Sequence, residues 1–324
     1  MKSMINYFTG HLEGFVAFIG IMSAFVLTCF AVSKFAVYLP KDMGRDFAFD
    51  GKKSAGKPRG AGIIFVFVFC IAALLFGEID VENGLYLLLV VAAMLTGFFD
   101  DASKAPWGEY KKGIFDLVIA IGIADIFMYF NSSTVTFAFL DIHVTLPPIV
   151  FGILTVVLVW VSINVTNCSD GVDGLSGTLT IITLATFYII DMVRERPNNI
   201  DYFILLFIVC ILGYLWFNAT PSKLLMGDAG SRAMGLFIAV TALKTGSPFL
   251  YIPVAFVLLM DGGLGLVKVF LLRFLKIRIL KNVRTPLHDQ ARKVSGWSNT
   301  QTVFRFAIIQ LVIGMAVIYM VMPK

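Results

Sequence analysis

The sequence predicts an all-α, polytopic membrane protein of about ten transmembrane helices, and three observations support this fold class. Hydrophobic residues make up 58% of the 324 residues, and only 15% are charged. The mean hydropathy is +0.87, which exceeds what a soluble domain of this length needs for its core. The apolar residues also gather in runs close to the roughly 20 residues that a helix needs to span a bilayer.

Ten apolar runs follow one another along the chain. Their approximate bounds are 14–39, 61–76, 84–99, 114–130, 149–165, 175–190, 201–217, 233–245, 249–272 and 302–322. The second, third and eighth are short, and their boundaries are soft. Period-two alternation is absent, and a backbone in lipid must pair its own polar groups, so helices are expected rather than a barrel. Without a long linker or low-complexity segment, residues 1–324 are expected to form one integral membrane domain.

The distribution of basic residues predicts the orientation of these helices. Of the 26 Lys and Arg residues, 18 fall in the odd-numbered connections between runs. The positive-inside rule places these connections in the cytoplasm and both termini on the extracytoplasmic side. The first run is long and lacks a small-residue cleavage site after it, so no cleavable signal peptide is expected. The net charge of +5 then reflects topology, with anionic membrane lipid as the partner and no nucleic acid.

Three acidic motifs lie at the ends of apolar runs. Asp100-Asp101 ends the third run, NCSDGVDGLSG (167–177) connects the fifth and sixth, and MGDAGS (226–231) connects the seventh and eighth. A carboxylate beside a bilayer is costly unless it is paired. The predicted topology brings all three motifs to the cytoplasmic face, an arrangement that suits a soluble anionic substrate held through a divalent cation.

The residue types in these motifs fit magnesium-dependent phosphoryl transfer. Mg²⁺ prefers oxygen ligands and takes one or two carboxylates together with substrate phosphate oxygens, so Asp228 with another aspartate is a candidate site. The transfer also needs positive charge on the phosphate oxygens, which Lys57, Lys111 and Lys112 can supply. The glycines permit close approach to a pyrophosphate, although neither string matches a Walker loop.

Each motif also has a simpler interpretation when it is taken alone. Asp100-Asp101 can be a solvated helix cap, and the two Asp-Gly pairs of the second motif can be turn formers. Asp228 can cap the next helix, and His288 alone is more typical of a surface loop than of a catalytic group. Taken together, these interpretations require three coincidences on one membrane face.

Five strings carry a resemblance to a known family. They are FFDD (98–101), NVTNCSDGVDGLSG (164–177), FNATPSKLLMGDAGS (217–231), TPLHDQ (285–290) and GWSNTQTVFRF (296–306). In order and spacing the chain resembles the phospho-N-acetylmuramoyl-pentapeptide transferases from about Leu39 to Ile309. The aspartate motifs are shared by the wider superfamily of polyprenyl-phosphate N-acetylhexosamine 1-phosphate transferases, and the last string is particular to the muramoyl-pentapeptide branch.

The resemblance implies a ten-helix enzyme of the bacterial inner membrane, usually a homodimer, with its active site on the cytoplasmic face. Its substrates would be UDP-N-acetylmuramoyl-pentapeptide (UDP-MurNAc-pentapeptide) and undecaprenyl phosphate. Transfer of phospho-MurNAc-pentapeptide to the lipid would release UMP and form lipid I with Mg²⁺ as the cofactor, which is the first membrane step of peptidoglycan synthesis.

The resemblance also implies roles for single residues. Asp228 matches the magnesium-binding aspartate, and Asp100 matches the aspartate that activates the lipid phosphate. Asp101 and His288 complete the catalytic group. The expected substrate-binding residues are Lys111, Asn167, Asp170, Asp173 and Asn218, to which the charge argument adds Lys57. An acidic residue in the outward-bending ninth helix matches Asp261, and the following glycine pair is expected to form the bend.

Three positions depart from the family pattern. A run of histidines is reduced to His288 followed by Asp289-Gln290. The usual PTMGG is PRGAG (58–62), which puts Arg59 where a threonine is common. Leu225 stands where a phenylalanine often stacks on uracil. These changes concern recognition of the nucleotide and sugar and leave the phosphoryl-transfer residues in place.

Alternatives remain at the level of mechanism and of function. Direct attack of the lipid phosphate is favoured over a two-step route through a phosphorylated aspartate, because phosphoryl transfer depends mostly on positioning and charge neutralisation. A sibling transferase that moves N-acetylglucosamine 1-phosphate is the first alternative. A secondary transporter is a more distant one, since transporters place ion sites near the membrane midplane and often contain repeats.

Overall fold

The computed structural model describes residues 13–44, 54–103, 105, 107–196 and 198–323. Part of the predicted charge asymmetry therefore lies outside the described residues, at Arg45, Lys52, Lys53 and Lys104. The predicted location of the two chain termini rests on residues 1–12 and 324, which are also outside them.

The described chain is mostly helical. Its longer helices are α1 (Glu13–Phe35), α2 (Gly62–Phe76), α3 (Val81–Asp101), α4 (Glu109–Phe130), α5 (Pro148–Cys168), α6 (Leu175–Val193), α7 (Asp201–Asn218), α8 (Gly227–Lys244), α11 (Leu264–Phe274) and α13 (Asn299–Val321). Shorter elements are the 3₁₀ turns Ala36–Tyr38 and Pro248–Leu250, the strands β1 (Thr134–Phe137) and β2 (Ile142–Thr145), the helices α9 (Tyr251–Val254), α10 (Phe256–Leu258) and α12 (Leu287–Lys293), and the π turn Leu259–Gly263.

The membrane class predicted from composition is confirmed by the length and apolarity of these helices. Among the described residues, seven helices are long and apolar enough to cross a membrane, and an eighth span results if the bent pair Pro248–Val254 and Phe256–Phe274 counts as one. The apolar helix α2 is shorter, with 15 residues. Every predicted apolar run coincides with a helical segment. The protein is thus a helical, multi-pass membrane protein, while the count of ten spans and their orientation stay predictions.

Helix α8 lies at the centre of the bundle. All of its residues from Gly227 to Leu243 are buried, and its main neighbours are α3 and α5. Because protein rather than lipid surrounds it, α8 does not need the apolarity of the outer helices. Glycines allow the close packing: a Cβ at Gly62 would lie 1.9 Å from the Gly230 nitrogen, and one at Gly97 would lie 2.3 Å from the Asp228 carbonyl.

A two-stranded antiparallel hairpin connects α4 and α5, and the sequence did not predict it. β1 pairs with β2 in the register Thr134 to Thr145, and the threonine hydroxyls of that pair are 2.9 Å apart. The Phe137 ring stacks on Phe249, with 5.1 Å between the ring centroids. Strands of four residues are too short to give a period-two pattern that a sequence can reveal.

The ninth predicted span is bent by 69°, at Ala255. The expectation that the glycine pair 262–263 forms the bend is wrong, because the break at Ala255 precedes the π turn in which these glycines lie. Pro253 cannot donate a backbone hydrogen bond, which weakens the helix just before the break. The buried Gln310 side chain pairs the separated backbone: it donates to the Val254 carbonyl at 2.6 Å and accepts from the Val257 amide at 2.9 Å.

Candidate active site

Two of the three acidic motifs meet at one end of the bundle. Asp100 and Asp101 lie in the last turn of α3, and Asp228 is the second residue of α8. The Lys112 ammonium, from the first turn of α4, bridges them: it contacts Asp100 Oδ2 and lies 3.0 Å from Asp228 Oδ2. The first and third acidic motifs thus meet as predicted, with Lys112 as the bridging group, and the cytoplasmic location of this end of the bundle stays a prediction.

The two adjacent aspartates face different partners. Asp100 Oδ1 accepts a hydrogen bond from the Trp107 amide at 2.7 Å. Asp101 Oδ2 accepts one from the Ala229 amide at 3.2 Å, at the positively polarised N-terminus of α8. The interpretation of this pair as a solvated cap is wrong, because Asp100 is 5% exposed and the Asp101 side chain is fully buried. Both are held inside by charge and amide contacts.

Asp228 lies among three basic groups. Besides Lys112, Arg59 Nη2 lies 3.7 Å from its Oδ1, and Arg232 Nε lies 3.8 Å from its Oδ2. The helix cap interpretation of Asp228 is wrong, since α8 begins at Gly227 and Met226 occupies the cap position. A buried carboxylate at this point is stabilised by the surrounding positive charge and is oriented by it.

A buried ion pair between Arg232 and Asp116 lies next to Asp228. Arg232 Nη1 donates to Asp116 Oδ1 at 2.9 Å, and Asn164 donates to Asp116 Oδ2 at 3.3 Å. Sequence reasoning counted Arg232 only as a topology charge and did not single out Asp116. The available signal was spacing: Arg232 follows Asp228 by four residues and Asp116 follows Lys112 by four, so each pair shares a helix face.

We call these groups the aspartate cluster; its members are Asp100, Asp101, Asp116, Asp228, Arg59, Lys112 and Arg232. Arg59 contributes an ion pair to Asp101, with 2.9 Å between Nε and Oδ1. Burial lowers the pKa of Arg59, but the charges of Asp101 and Asp228 outweigh this and raise it above its ordinary value. The guanidinium is therefore a permanent cation of the cluster.

The second acidic motif folds into a loop beside the cluster. Asn167, at the end of α5, donates from its amide to Ser231 Oγ of α8 at 2.9 Å. Asp173 Oδ2 accepts from the Ser222 amide at 3.2 Å, and Lys57 Nζ donates to Ser222 Oγ at 3.0 Å. The structure thus brings Lys57, Asn167 and Asp173 to the same end of the bundle as Asp228.

Asn218 fixes the shape of this loop. Its Oδ1 accepts from the Gly174 amide at 2.8 Å, and its Nδ2 donates to the Leu224 carbonyl at 2.8 Å. Gly174 has φ of +82°, as the turn interpretation of the Asp-Gly pair requires. Since both halves of the amide contact backbone, Asn218 positions the loop, and a contact with the nucleoside stays a prediction.

His288 is a buried residue of α12, 3% exposed, so its interpretation as a surface-loop histidine is wrong. Asp261, in the π turn, accepts from the His288 amide at 2.7 Å and lies 2.9 Å from Nδ1 through its other oxygen. Nε2 therefore faces the Asp170–Asp173 loop, where a Cβ at Gly171 would lie 2.2 Å from it. Asp261 is the residue that orients this imidazole.

The two remaining predicted residues lie at the edge of the site. Asp170 is half-buried in the loop that His288 faces. Lys111 is exposed, and its Nζ lies 3.5 Å from the centroid of the Trp107 ring. Lys111 therefore points away from the carboxylates that Lys112 contacts, and its role toward substrate stays a prediction.

Comparison with known proteins identifies the family. The model of glycosyl transferase family 4 matches residues 83–246. A phospho-N-acetylmuramoyl-pentapeptide-transferase of Treponema pallidum (strain Nichols) is 42% identical over 302 residues, covering 86% of this chain and 82% of the relative. Enzymes of the same name from a Thermoanaerobacter species and a Nitratiruptor species are 30% and 26% identical, over 89% of this chain and 93% and 89% of their own lengths. The chain belongs to the phospho-N-acetylmuramoyl-pentapeptide transferase family.

The family 4 match divides the site unequally. It includes Asp100, Asp101, Lys112 and Asp228, whereas Arg59 and His288 lie outside it. Arg59 comes from a segment that precedes the matched range, and His288 comes from a segment that follows it.

Replacing Asp261 by Asn is expected to lower kcat of this transferase by about 10- to 100-fold, the size of effect typical for a carboxylate that orients a functional histidine. The amide keeps one acceptor for the His288 backbone but presents a donor to Nδ1, which reverses the proton positions on the imidazole. The kcat and KM values for both substrates should be measured across pH. The control is Glu109→Gln, which alters an exposed ion pair with Arg273 near the site. An Asp261→Asn enzyme with full activity would show that Asp261 does not orient His288 for the reaction.

Proposed function

We propose that this protein transfers phospho-MurNAc-pentapeptide from UDP-MurNAc-pentapeptide to undecaprenyl phosphate, releasing UMP and forming lipid I. The observation that carries the proposal is the bridge of Asp100 and Asp228 by Lys112 in a chain of this family. We place the enzyme in the bacterial inner membrane as a single domain with ten spans, its site on the cytoplasmic face, and a homodimer as its assembly.

The donor set of the aspartate cluster fits a magnesium ion. Within the described ranges, no three His, Cys, Asp or Glu side chains surround a common metal position. Mg²⁺ needs only one or two carboxylates when substrate phosphates supply further oxygens. Asp100 and Asp228 already converge on one cation, the Lys112 ammonium. Asp101 Oδ1 is buried without a hydrogen bond from the described residues, although Arg59 Nε lies 2.9 Å away.

Asp228 would therefore hold the ion together with phosphate oxygens of the substrate, and the ion supplies charge neutralisation of the pyrophosphate when it is bound. Lys112 bridges the carboxylates of Asp100 and Asp228 and so keeps them close to each other despite their like charge. Because Asp100 also accepts the Trp107 amide, its remaining oxygen is directed at the centre of the cluster. From there the Asp100 carboxylate would accept the proton of a lipid phosphate that binds in its monoprotonated form.

Direct displacement is the simplest route through this geometry. An oxygen of the lipid phosphate attacks the β-phosphorus of the nucleotide, the bond from that phosphorus to the bridging oxygen breaks, and UMP leaves with the bonding electrons. Arg59, Lys112 and Arg232 stabilise the charge that spreads over the phosphate oxygens. Accumulation of a covalent phospho-sugar enzyme with the nucleotide substrate alone would favour the two-step route instead.

The neighbouring loop would bind the nucleotide and sugar. Lys57 and Asp173 meet at Ser222, and His288 faces the same loop from α12. Asn167 connects this loop to α8, and so to Asp228. We assign Asp170 and Lys111 to the rim of the same binding region.

A substrate comparison tests the proposal. Purified protein in detergent, with undecaprenyl phosphate and Mg²⁺, should release UMP from UDP-MurNAc-pentapeptide and not from UDP-N-acetylglucosamine. Removal of Mg²⁺ with a chelator should stop the release, and its return should restore it. Release only from UDP-N-acetylglucosamine would replace this assignment by a sibling transferase of the same superfamily.

A further inference from the structure

Arg59 occupies an unusual position for a residue outside the acidic motifs. Its guanidinium lies among three carboxylates: Nε is 2.9 Å from Asp101 Oδ1, Nη1 is 3.4 Å from Asp42 Oδ1, and Nη2 is 3.7 Å from Asp228 Oδ1. The side chain is 17% exposed. Arg59 thus lies close to both the α3 carboxylate of Asp101 and the proposed metal ligand Asp228.

The backbone holds Arg59 at this place independently of its ion pairs. The Arg59 amide donates to the Pro40 carbonyl at 2.8 Å. On either side, the Leu225 amide donates to the Pro58 carbonyl at 2.8 Å, and the Ala61 amide donates to the Leu225 carbonyl at 3.1 Å. The segment that carries Arg59 is therefore paired with the segment that leads into α8. These backbone hydrogen bonds preorganise the guanidinium, because the segment that carries Arg59 is already ordered before a ligand binds.

The ion pairs of Arg59 leave part of its bonding capacity for a ligand. The 3.7 Å separation of Nη2 from Asp228 exceeds the length of a hydrogen bond. Asp101 Oδ1 accepts no hydrogen bond from the described residues despite its closeness to Nε, so that contact is electrostatic and not a directed bond. A planar guanidinium can donate two parallel bonds to phosphate oxygens, a geometry that an ammonium cannot offer.

The charge of the surroundings indicates what Arg59 does for a phosphate ligand. In the part of the chain that the structure describes, five carboxylates meet here, those of Asp42, Asp100, Asp101, Asp116 and Asp228, against three basic groups, those of Arg59, Lys112 and Arg232. The excess of two negative charges matches one divalent cation. Without Arg59 the excess would be three, and an anionic pyrophosphate would meet stronger repulsion. Arg59 therefore shares the neutralisation with the ion.

We propose that Arg59 is a phosphate-binding residue of this site that keeps Nε on Asp101 and directs its Nη2 edge to the diphosphate of a bound nucleotide. The inference rests on the proposed function, because it takes that diphosphate as the ligand of the cluster. It adds a residue that sets nucleotide affinity in this chain and lowers the amount of divalent cation that binding requires.

The test uses UDP as the probe, without turnover. Calorimetry should give a UDP dissociation constant that rises about 10- to 100-fold in Arg59→Gln, the range expected for a lost charge-assisted contact. Arg59→Lys keeps the positive charge but cannot donate two parallel hydrogen bonds, and it should raise the UDP dissociation constant several-fold. Lower Mg²⁺ concentrations should enlarge both differences. In the turnover assay, KM for the nucleotide should rise, while KM for undecaprenyl phosphate stays unchanged.

The control is Arg273→Gln, an exposed arginine that pairs with Glu109 outside the cluster and should bind UDP like the parent protein. Arg59→Thr, which also lacks the guanidinium, provides a second test if the Gln variant does not fold. UDP affinity equal to that of the Arg273 variant, in any folded Arg59 variant without the guanidinium, would overturn the inference. Loss of thermal stability with unchanged UDP affinity would assign Arg59 a structural role only. UDP binding is measured apart from turnover, so an inactive parent protein would contradict the proposed function and not this inference.

Discussion

Asp228→Asn is expected to lower kcat by roughly 10³-fold or more, the scale of effect for a group that neutralises charge in phosphoryl transfer. The amide keeps the shape of the side chain but removes the negative charge that would hold the ion. The variant should still fold, because each surrounding cation keeps a carboxylate of its own: Lys112 keeps Asp100, Arg59 keeps Asp101, and Arg232 keeps Asp116.

UMP release should be measured for this variant over a range of Mg²⁺ concentrations. Elution from a size-exclusion column as a single species checks that the variant is folded. The matched control is Asp80→Asn at the opposite end of α3, where the side chain caps the helix. Asparagine caps a helix as well as aspartate does, so this control should stay active. An Asp228→Asn enzyme with the activity of the control would refute the role of Asp228 as the metal ligand.

Asp116→Leu is expected to lower the free energy of unfolding by about 3–5 kcal/mol, since it removes the carboxylate that accepts the hydrogen bond of the buried Arg232. The side chains of Asp116 and Arg232 are 2% and 3% exposed. Arg232→Leu should destabilise similarly, because a buried carboxylate remains. The double variant removes both charges and should recover most of the loss.

Thermal unfolding of the parent protein, the two single variants and the double variant in one detergent gives the coupling free energy between Asp116 and Arg232. Equivalent substitutions at Glu109 and Arg273, whose ion pair is exposed, should change stability by about 1 kcal/mol or less. Additive losses at Asp116 and Arg232 would show that the two side chains do not act as a pair. Unfolding is measured without turnover, so this comparison does not depend on activity. The loss of Arg232, which lies beside Asp228, is itself expected to reduce activity.

The sequence was sufficient for the helical architecture and for the meeting of the Asp100-Asp101 and Asp228 motifs. Span length and apolarity are properties of consecutive residues, so runs such as 149–165 could be assigned directly to helices. Motifs at alternate helix ends must lie at the same end of an antiparallel bundle. That geometric rule is enough to bring Asp101 to the end of the bundle where α8 begins, and the contact with the Ala229 amide agrees with it.

Partners that are distant in sequence could not be predicted in the same way. The pairing of Asp116 with Arg232 and of Asp261 with His288 depends on which helix faces meet, and composition does not specify this. The bend at Ala255 depends on Gln310, a residue from another helix that pairs the broken backbone. A departure from the family pattern, Arg59, was visible in the sequence, but its position among the carboxylates was not.

The most direct measurement follows the β-phosphorus of the nucleotide. UDP-MurNAc-pentapeptide labelled with ³²P at the β-phosphate is incubated with the enzyme, undecaprenyl phosphate and Mg²⁺, and the lipid and aqueous phases are separated. Transfer of the phospho-sugar requires the label to enter the lipid, with one unlabelled UMP released for each labelled lipid. Label that remains in water as UDP would mean that only the sugar moves, and would contradict phosphoryl transfer at the aspartate cluster.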